Sequence, residues 1–199
     1  DIGNLVNLRK LKVLSGWRFK IQKLPTSIGN LKRLRELNLN DSLGTFVTHL
    51  PELNLIELKN LRLKHSYLTE LPPSIAKSEK IKIIDLSWSS QFETLPEGFG
   101  PKNRVKSHRH YRHFQKSPDY YELRIRNTIV KKFPNSMQNS LLRSLDIRGV
   151  KNIDISNILN TPLWHVIVDR HTSIRPLSPQ SMQILLANEE MSSWPKNAI

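Results

Sequence analysis

The chain has no cysteine among its 199 residues. That argues against disulfide-capped extracellular repeats, zinc sites built on thiolates and cysteine-nucleophile chemistry, and it favours an intracellular, cytoplasmic setting. No apolar run approaches the roughly 18–20 residues that span a bilayer, and no signal peptide is visible. Acidic residues are scarce, with 17 Asp and Glu against 31 Lys and Arg and a formal charge of +14. Such an excess favours acidic partners (protein, nucleic acid or anionic lipid), although Lys and Arg also serve simply to solvate a surface. Catalytic signatures are missing too. There is no Gly-rich phosphate loop, no paired-carboxylate arrangement and no nucleophile with a traceable base, so neither enzyme activity nor a cofactor is expected within these residues. Otherwise the composition, 38% hydrophobic and 24% charged, is that of an ordinary folded domain.

What is present is periodic. From Leu55 to Ile75 the chain reads LxxLxxLxLxxSxLxxLPxxI, a spacing that neither a helix period nor strand alternation produces. Leu61 and Leu63 alternate on a short strand with Arg62 and Lys64 facing the other way. Ser66, standing where a leucine-rich repeat usually has Asn, turns the chain by bonding free backbone groups, and Leu68, Leu71 and Ile75 fold back over the same core. One such unit cannot bury its own apolar edge, so its neighbours must be copies. They are. Ile28-Gly29-Asn30-Leu31 repeats Ile2-Gly3-Asn4-Leu5, and Leu-Pro pairs recur at 24–25, 50–51, 71–72 and 95–96, with Phe133-Pro134 as a variant. Strand cores follow as Leu11/Val13, Leu37/Leu39, Leu61/Leu63, Ile84/Leu86, Leu123/Ile125, Leu145/Ile147 and Val166/Val168.

The expected organisation is a solenoid of about seven coils over residues 1–177 and a partly helical C-terminal cap over 178–199. The chain enters the pattern partway through a unit with no amphipathic cap, so a missing N-terminal part is expected. Residues 14–24 are longer than a regular unit requires, with Trp17 and Phe19 as packing under the widened turn. Residues 43–50 carry a similar extension, with Phe46 as its plug. The interval from Phe99 to Met137 is too long for one unit and too short for two, which implies an insertion or a degenerate coil before the pattern resumes at Tyr120. Its basic part, residues 101–117, contains no acid. Gln180 to Glu190 has helical spacing, and Trp194-Pro195 would pin the tail. Asn40-Asp41-Ser42 matches a glycosylation acceptor, a triplet that arises often by chance.

Between the core positions each strand presents outward residues in three files across the coils. The first is Lys12, Asn38, Arg62, Asp85, Arg124, Asp146 and Ile167. The second is Leu14, Asn40, Lys64, Ser87, Arg126, Arg148 and Asp169. The third is Ser15, Asp41, His65, Trp88, Asn127, Gly149 and Arg170. Arg62, Lys64, His65, Arg124 and Arg126 form a basic centre flanked by Arg148, with Trp88 exposed beside it, a composition typical of protein-binding hot spots. The competing reading is that Asp85, Asp146 and Asp169 neutralise the arginines and leave a solvated sheet. In the basic segment, Arg109, Tyr111 and Arg112 are expected to add loop contacts. With Phe114 they also suit a phosphate backbone, which keeps nucleic acid as a lesser alternative. His108, His110 and His113 invite a metal reading, but the run lacks fixed geometry and its arginines oppose a divalent ion, so no metal is expected.

The stretches LPTSIGNLKRLRELNLNDS, LPPSIAKSEKIKIIDLS and DLSWSSQFETLPEGFG resemble the leucine-rich repeats of plant intracellular immune receptors and plant Ras-group repeat proteins. They also resemble the repeats of bacterial effectors delivered into host cells. The resemblance covers most of residues 1–140 and thins after Leu145. It implies an α/β repeat fold, a curved leucine-rich-repeat solenoid with short parallel strands on the concave face and an irregular or 3-10 convex side. It further implies recognition of a protein partner by the concave strands, in immune sensing or effector action, inside a cell or in a host cytoplasm. As an alternative it implies the substrate-recognition part of a host-modifying effector, such as a ubiquitin ligase with catalysis in a flanking domain. The chain departs from the immune receptors in its short array and the lack of a nucleotide-binding domain, and the basic segment has no counterpart in the pattern.

Overall fold

The computed structural model describes residues 1–13, 20–100, 121–161, 163 and 165–180. Seven three-residue strands form one parallel sheet in sequence order: β1 (Lys10–Lys12), β2 (Glu36–Asn38), β3 (Asn60–Arg62), β4 (Ile83–Asp85), β5 (Glu122–Arg124), β6 (Ser144–Asp146) and β7 (His165–Ile167). Every neighbour is reached by a full coil of chain, the connection a parallel ladder demands. The convex return is made by 3-10 turns at Thr26–Asn30, Pro73–Lys77, Asn135–Asn139 and Ser156–Ile158. The first three begin directly after a proline whose extended backbone presets the entry.

The core is a stack of files. Leu11, Leu37, Leu61, Ile84, Leu123, Leu145 and Val166 are direct register partners, in agreement with the strand cores read from the sequence. Those on β2 to β6 are completely buried, as are Leu39, Leu63, Leu86, Ile125 and Ile147 two residues later. The equivalents on β1 and β7, each with a described strand on one side only, are half-buried and pack against the same core. Burying each such side chain stabilises by about 1.5–3 kcal/mol, and the contribution depends on the adjacent coil being in place.

A file of hydroxyls serves the turns after β2, β3, β4 and β5. Ser42 Oγ donates to the Val13 carbonyl (2.9 Å), Ser89 Oγ to the Leu63 carbonyl (3.2 Å) and Thr128 Oγ1 to the Ile125 carbonyl (2.7 Å), while Ser66 and Ser89 share a 2.8 Å hydroxyl bond. All four side chains are buried, so each satisfies backbone or hydroxyl groups that water does not reach.

Register makes β4 and β5 direct neighbours: Ile84 pairs with Leu123 although thirty-nine residues separate them, against twenty-four between Leu37 and Leu61. Residues 101–120, including the expected loop contacts Arg109, Tyr111 and Arg112, the three histidines and Tyr120, lie outside the described residues. So do Leu14, Ser15, Trp17, Phe19 and the expected cap from 181 onward. Tyr121 is fully buried and packs edge-on against Phe99, with ring centroids 6.3 Å apart; burial pushes its phenol well above the ordinary range.

One packing expectation fails. Phe46 does not plug the extended turn; it is 85% exposed. The Val47 N–H donates to the Gly44 carbonyl at 3.0 Å, and this tight turn aims Val47, with Leu43 and Leu50, into the core instead. Replacing Ser89 by Ala is expected to lower the unfolding free energy by about 1–2 kcal/mol in a urea titration, because two buried partners lose their bond. Ser90→Ala, at the exposed neighbouring position, should change it by less than about 0.5 kcal/mol.

Candidate functional site

The outward residues of β3, β4 and β5 and the turns that follow them form the candidate surface. Register places Lys12, Asn38, Arg62, Asp85, Arg124, Asp146 and Ile167 side by side, the first of the three expected files. The ladder continues past the strands. The N–H groups of Asp41, His65, Trp88 and Asn127 donate to the carbonyls of Lys64, Ser87, Arg126 and Arg148 in the next coil, at 2.7–3.1 Å. At that point the chain must turn, and the residue there takes a left-handed backbone in five successive coils: Asp41 (φ 56°), His65 (52°), Trp88 (66°), Asn127 (51°) and Gly149 (73°). Asp, Asn, His and Gly tolerate this region; a bulky residue such as Trp pays about 1–2 kcal/mol for it. At Gly149 a Cβ would stand 2.0 Å from Asn127 Oδ1, so any side chain there would displace the Asn127 amide.

Trp88 therefore occupies a position whose backbone the fold dictates and whose residue type the fold disfavours. Its indole is 47% exposed. On one side it lies parallel to the His65 ring, with centroids 5.8 Å apart and planes 9° apart. From the next coil the Arg126 guanidinium stands 5.9 Å from the indole centroid, within the range of a cation–π contact. Three adjacent coils thus hold a half-exposed indole against a histidine ring and a guanidinium.

The cations around it are largely engaged. Lys64 Nζ and Arg124 Nη1 stand 3.3 and 3.5 Å from Asp85 Oδ2, and Arg124 Nε bonds Glu122 at 2.6 Å. Arg126 Nε is 3.9 Å from Asp146 Oδ2, whereas Arg148 makes a fork to both Asp146 oxygens at 2.9 and 2.7 Å. That hydrogen bond raises the Arg148 guanidinium further above its ordinary range. The three carboxylates are buried and the cations are about two-thirds covered, so removing one partner would leave a buried charge uncompensated. Neutralisation through Asp85 and Asp146 is thus real. Asp169, expected to act in the same way, is occupied by the Gly149 and His171 N–H groups and by Thr172 Oγ1, at 3.0, 3.0 and 2.9 Å. Arg62 makes no ion pair among the described residues, and its Nε is buried without a hydrogen-bond partner. Five cations facing three carboxylates leave the patch positive, with the least compensated charge at Arg62.

All seven expected concave residues, Arg62, Lys64, His65, Trp88, Arg124, Arg126 and Arg148, fall on this one surface. Ser87, expected outward between Lys64 and Arg126, is instead buried, and its hydroxyl has no hydrogen-bond partner among the described residues. The sequence reading missed the exposed edge beyond Trp88, where Tyr67 and Ile129 stand two residues past the left-handed position and Phe46 projects from the extended turn. No group of three or more metal-binding side chains assembles among the described residues. None of the described helices is long and apolar enough to cross a membrane.

No family model matches the chain, and no curated protein matches it in sequence. Solved structures do match. One is described as a plant peptide hormone receptor, RGFR1, in complex with RGF2; it superposes with a TM-score of 0.63 over 91% of this chain at 20% identity. The chain spans 27% of the length of that receptor chain. At this identity the likeness establishes the fold, a leucine-rich-repeat solenoid.

Two outcomes test the geometry. Trp88→Asn, which keeps the left-handed backbone without a bulky side chain, is expected to leave stability unchanged or to raise it by up to about 1 kcal/mol in urea unfolding. The Asp169 carboxyl lies below its ordinary value of 3.8: desolvation pushes it up, but the bonds from Thr172, Gly149 and His171 outweigh that effect. Its contribution to stability is therefore complete above the unfolded value and is lost as pH falls through the lowered folded one. Asp169→Asn should flatten the acid limb of a stability-against-pH curve below about pH 4.

Proposed function

We propose that the chain is a recognition module that binds an acidic protein or peptide segment across β3, β4 and β5. The observation that carries this reading is Trp88: an exposed indole at a left-handed position, held flat between His65 and Arg126. A strained aromatic kept open to solvent contributes little to the core, and such outliers concentrate at functional sites. Trp and Arg are also the residues in which binding energy concentrates. Arg62 and the surplus positive charge steer an acidic partner, and desolvation of Trp88 then holds it. The guanidinium groups of Arg124, Arg126 and Arg148 and the Lys64 ammonium are already held by Asp85, Glu122 and Asp146, so little side-chain entropy is lost on binding.

The fold supports this reading, because parallel-sheet solenoids offer extended surfaces for partners. The solved neighbour, a receptor in complex with RGF2, is a compatible example of such use. Immune sensing, or the recognition step of a host-directed effector inside a cell, is the biological setting that we infer from the repeat pattern.

The test is selection of ligands from a displayed library of peptides of all charge types, followed by affinity measurement across a salt series. The chain is expected to enrich peptides rich in Asp and Glu with an apolar residue alongside. Their affinity should fall with added salt, and by about tenfold or more with Trp88→Asn, in keeping with loss of a hot-spot residue. Enrichment of neutral or basic sequences, or affinity indifferent to Trp88→Asn, would overturn the reading.

A further inference from the structure

The rim opposite Trp88 has a different electrostatic character. His65 and Trp88 follow their strands, whereas Arg9 and Arg35 immediately precede β1 and β2. The N–H groups of Arg35 and Glu36 both donate to the Arg9 carbonyl, at 2.8 and 3.1 Å, and those of Lys59 and Asn60 donate to the Arg35 carbonyl at 2.8 and 3.0 Å. Arg9, Arg35 and Lys59 are thereby stacked one per coil, about 4.8 Å apart. Beside the first two, the surface opens into a groove of about 480 Å³ lined by Arg9, Lys32, Arg33, Arg35, Ile56 and Glu57. That volume falls within the roughly 300–1,000 Å³ of small-molecule sites.

Charge distinguishes this groove from the concave face. Four cations line it against one carboxylate, and that carboxylate is already taken. Lys80 hydrogen-bonds Glu57 and pulls its carboxyl below the ordinary range. The partners of the cations are neutral groups: Lys32 Nζ donates to the carbonyls of Gly29 (2.7 Å) and Asn54 (3.0 Å), and Arg33 Nη1 to Asn7 Oδ1 (2.8 Å). Such bonds hold a charge in place without cancelling it. Arg9 and Arg35 make no ion pair among the described residues. On β3 to β6 nearly every outward cation has a buried acid beside it; here like charges are fixed on adjacent coils, an unfavourable arrangement that the core files do not require.

We propose that this groove binds a compact, multiply charged phosphate anion. The guanidinium forks of Arg9, Arg33 and Arg35 suit the oxygens of tetrahedral phosphoryl groups, Lys32 supplies a point charge, and the exposed Ile56 side chain gives an apolar contact for whatever carries the phosphates. A ligand spanning Arg9 and Arg35 also bridges the first two coils, so its binding stabilises that end of the array.

The experiment is isothermal titration of the whole chain with sodium tripolyphosphate at about 0.15 M salt, paired with thermal melts. Citrate and a short single-stranded oligonucleotide serve as comparison probes. Tripolyphosphate is expected to bind, to raise the melting midpoint and to bind more tightly than citrate. The double variant Arg33→Gln/Arg35→Gln, shown to be folded by its melt, should lose about tenfold or more in affinity, as removal of charge-assisted bonds implies. Trp88→Asn should bind tripolyphosphate unchanged, which separates this site from the concave surface. The proposal is overturned by absence of binding at millimolar tripolyphosphate, by equal affinity for citrate, or by equal affinity of the double variant. Oligonucleotide binding that the double variant retains, together with loss of the tripolyphosphate preference, would overturn it in favour of diffuse attraction to polyanions.

Discussion

Leu37, Leu61, Ile84, Leu123 and Leu145 stand in one file at adjacent positions of the parallel ladder, and each is shielded from water only because the next is present. A coil of this kind has no core of its own. Its leucines, its strand carbonyls and the hydroxyls of Ser42, Ser66 and Ser89 are satisfied across the boundary to a neighbouring coil, so the stability of the array is held in the interfaces. The same constraint fixes the outer surface. Once the leucine file is in register, the residues between the leucines are in register too, and every outward side chain of β2 to β6 acquires two neighbours from other coils. Arg62 lies between Asn38 and Asp85 for that reason, and Trp88 between His65 and Asn127.

That constraint explains how much of the molecule was legible before any coordinates. The leucine spacing located all seven strands, their order and the three outward files, because a repeat with one strand per unit leaves no freedom in pairing. The seven concave candidates came from those files and indeed share one surface. Side-chain detail was less legible. Lys64 and Arg124 converge on Asp85, and Arg126 and Arg148 on Asp146, while Asp169 turns to backbone N–H groups; these choices depend on rotamers and burial that a residue file does not encode. The left-handed backbone at His65 and Trp88 was likewise hidden, since the repeat pattern marks the following serine but not the residue before it. Phe46 was misjudged because hydrophobicity alone placed it inside. The turn closed by Gly44 and Val47 is one residue out of step with that guess, and the smaller Val47 enters the core.

The structure divides its charge between two regimes. On the concave strands, buried carboxylates hold arginines and Lys64 in place, which costs the acids their solvation and is compensated by preorganised forks. On the rim before the strands, Lys32 and Arg33 are positioned by neutral groups, and Arg9 and Arg35 make no ion pair among the described residues. The groove precedes β1 and β2 whereas the candidate surface lies on β3 to β5 and the turns after them, so no residue is shared between the two.

Hydrogen–deuterium exchange of the chain, with and without an acidic peptide selected by it, tests the central claim most directly. The account predicts added protection at residues 60–66 and 83–89 and at 122–127, where β3, β4 and β5 run into the turns holding His65, Trp88 and Asn127. Protection confined to the convex 3-10 turns, or to residues 20–40 alone, would contradict the assignment of the concave face as the binding surface.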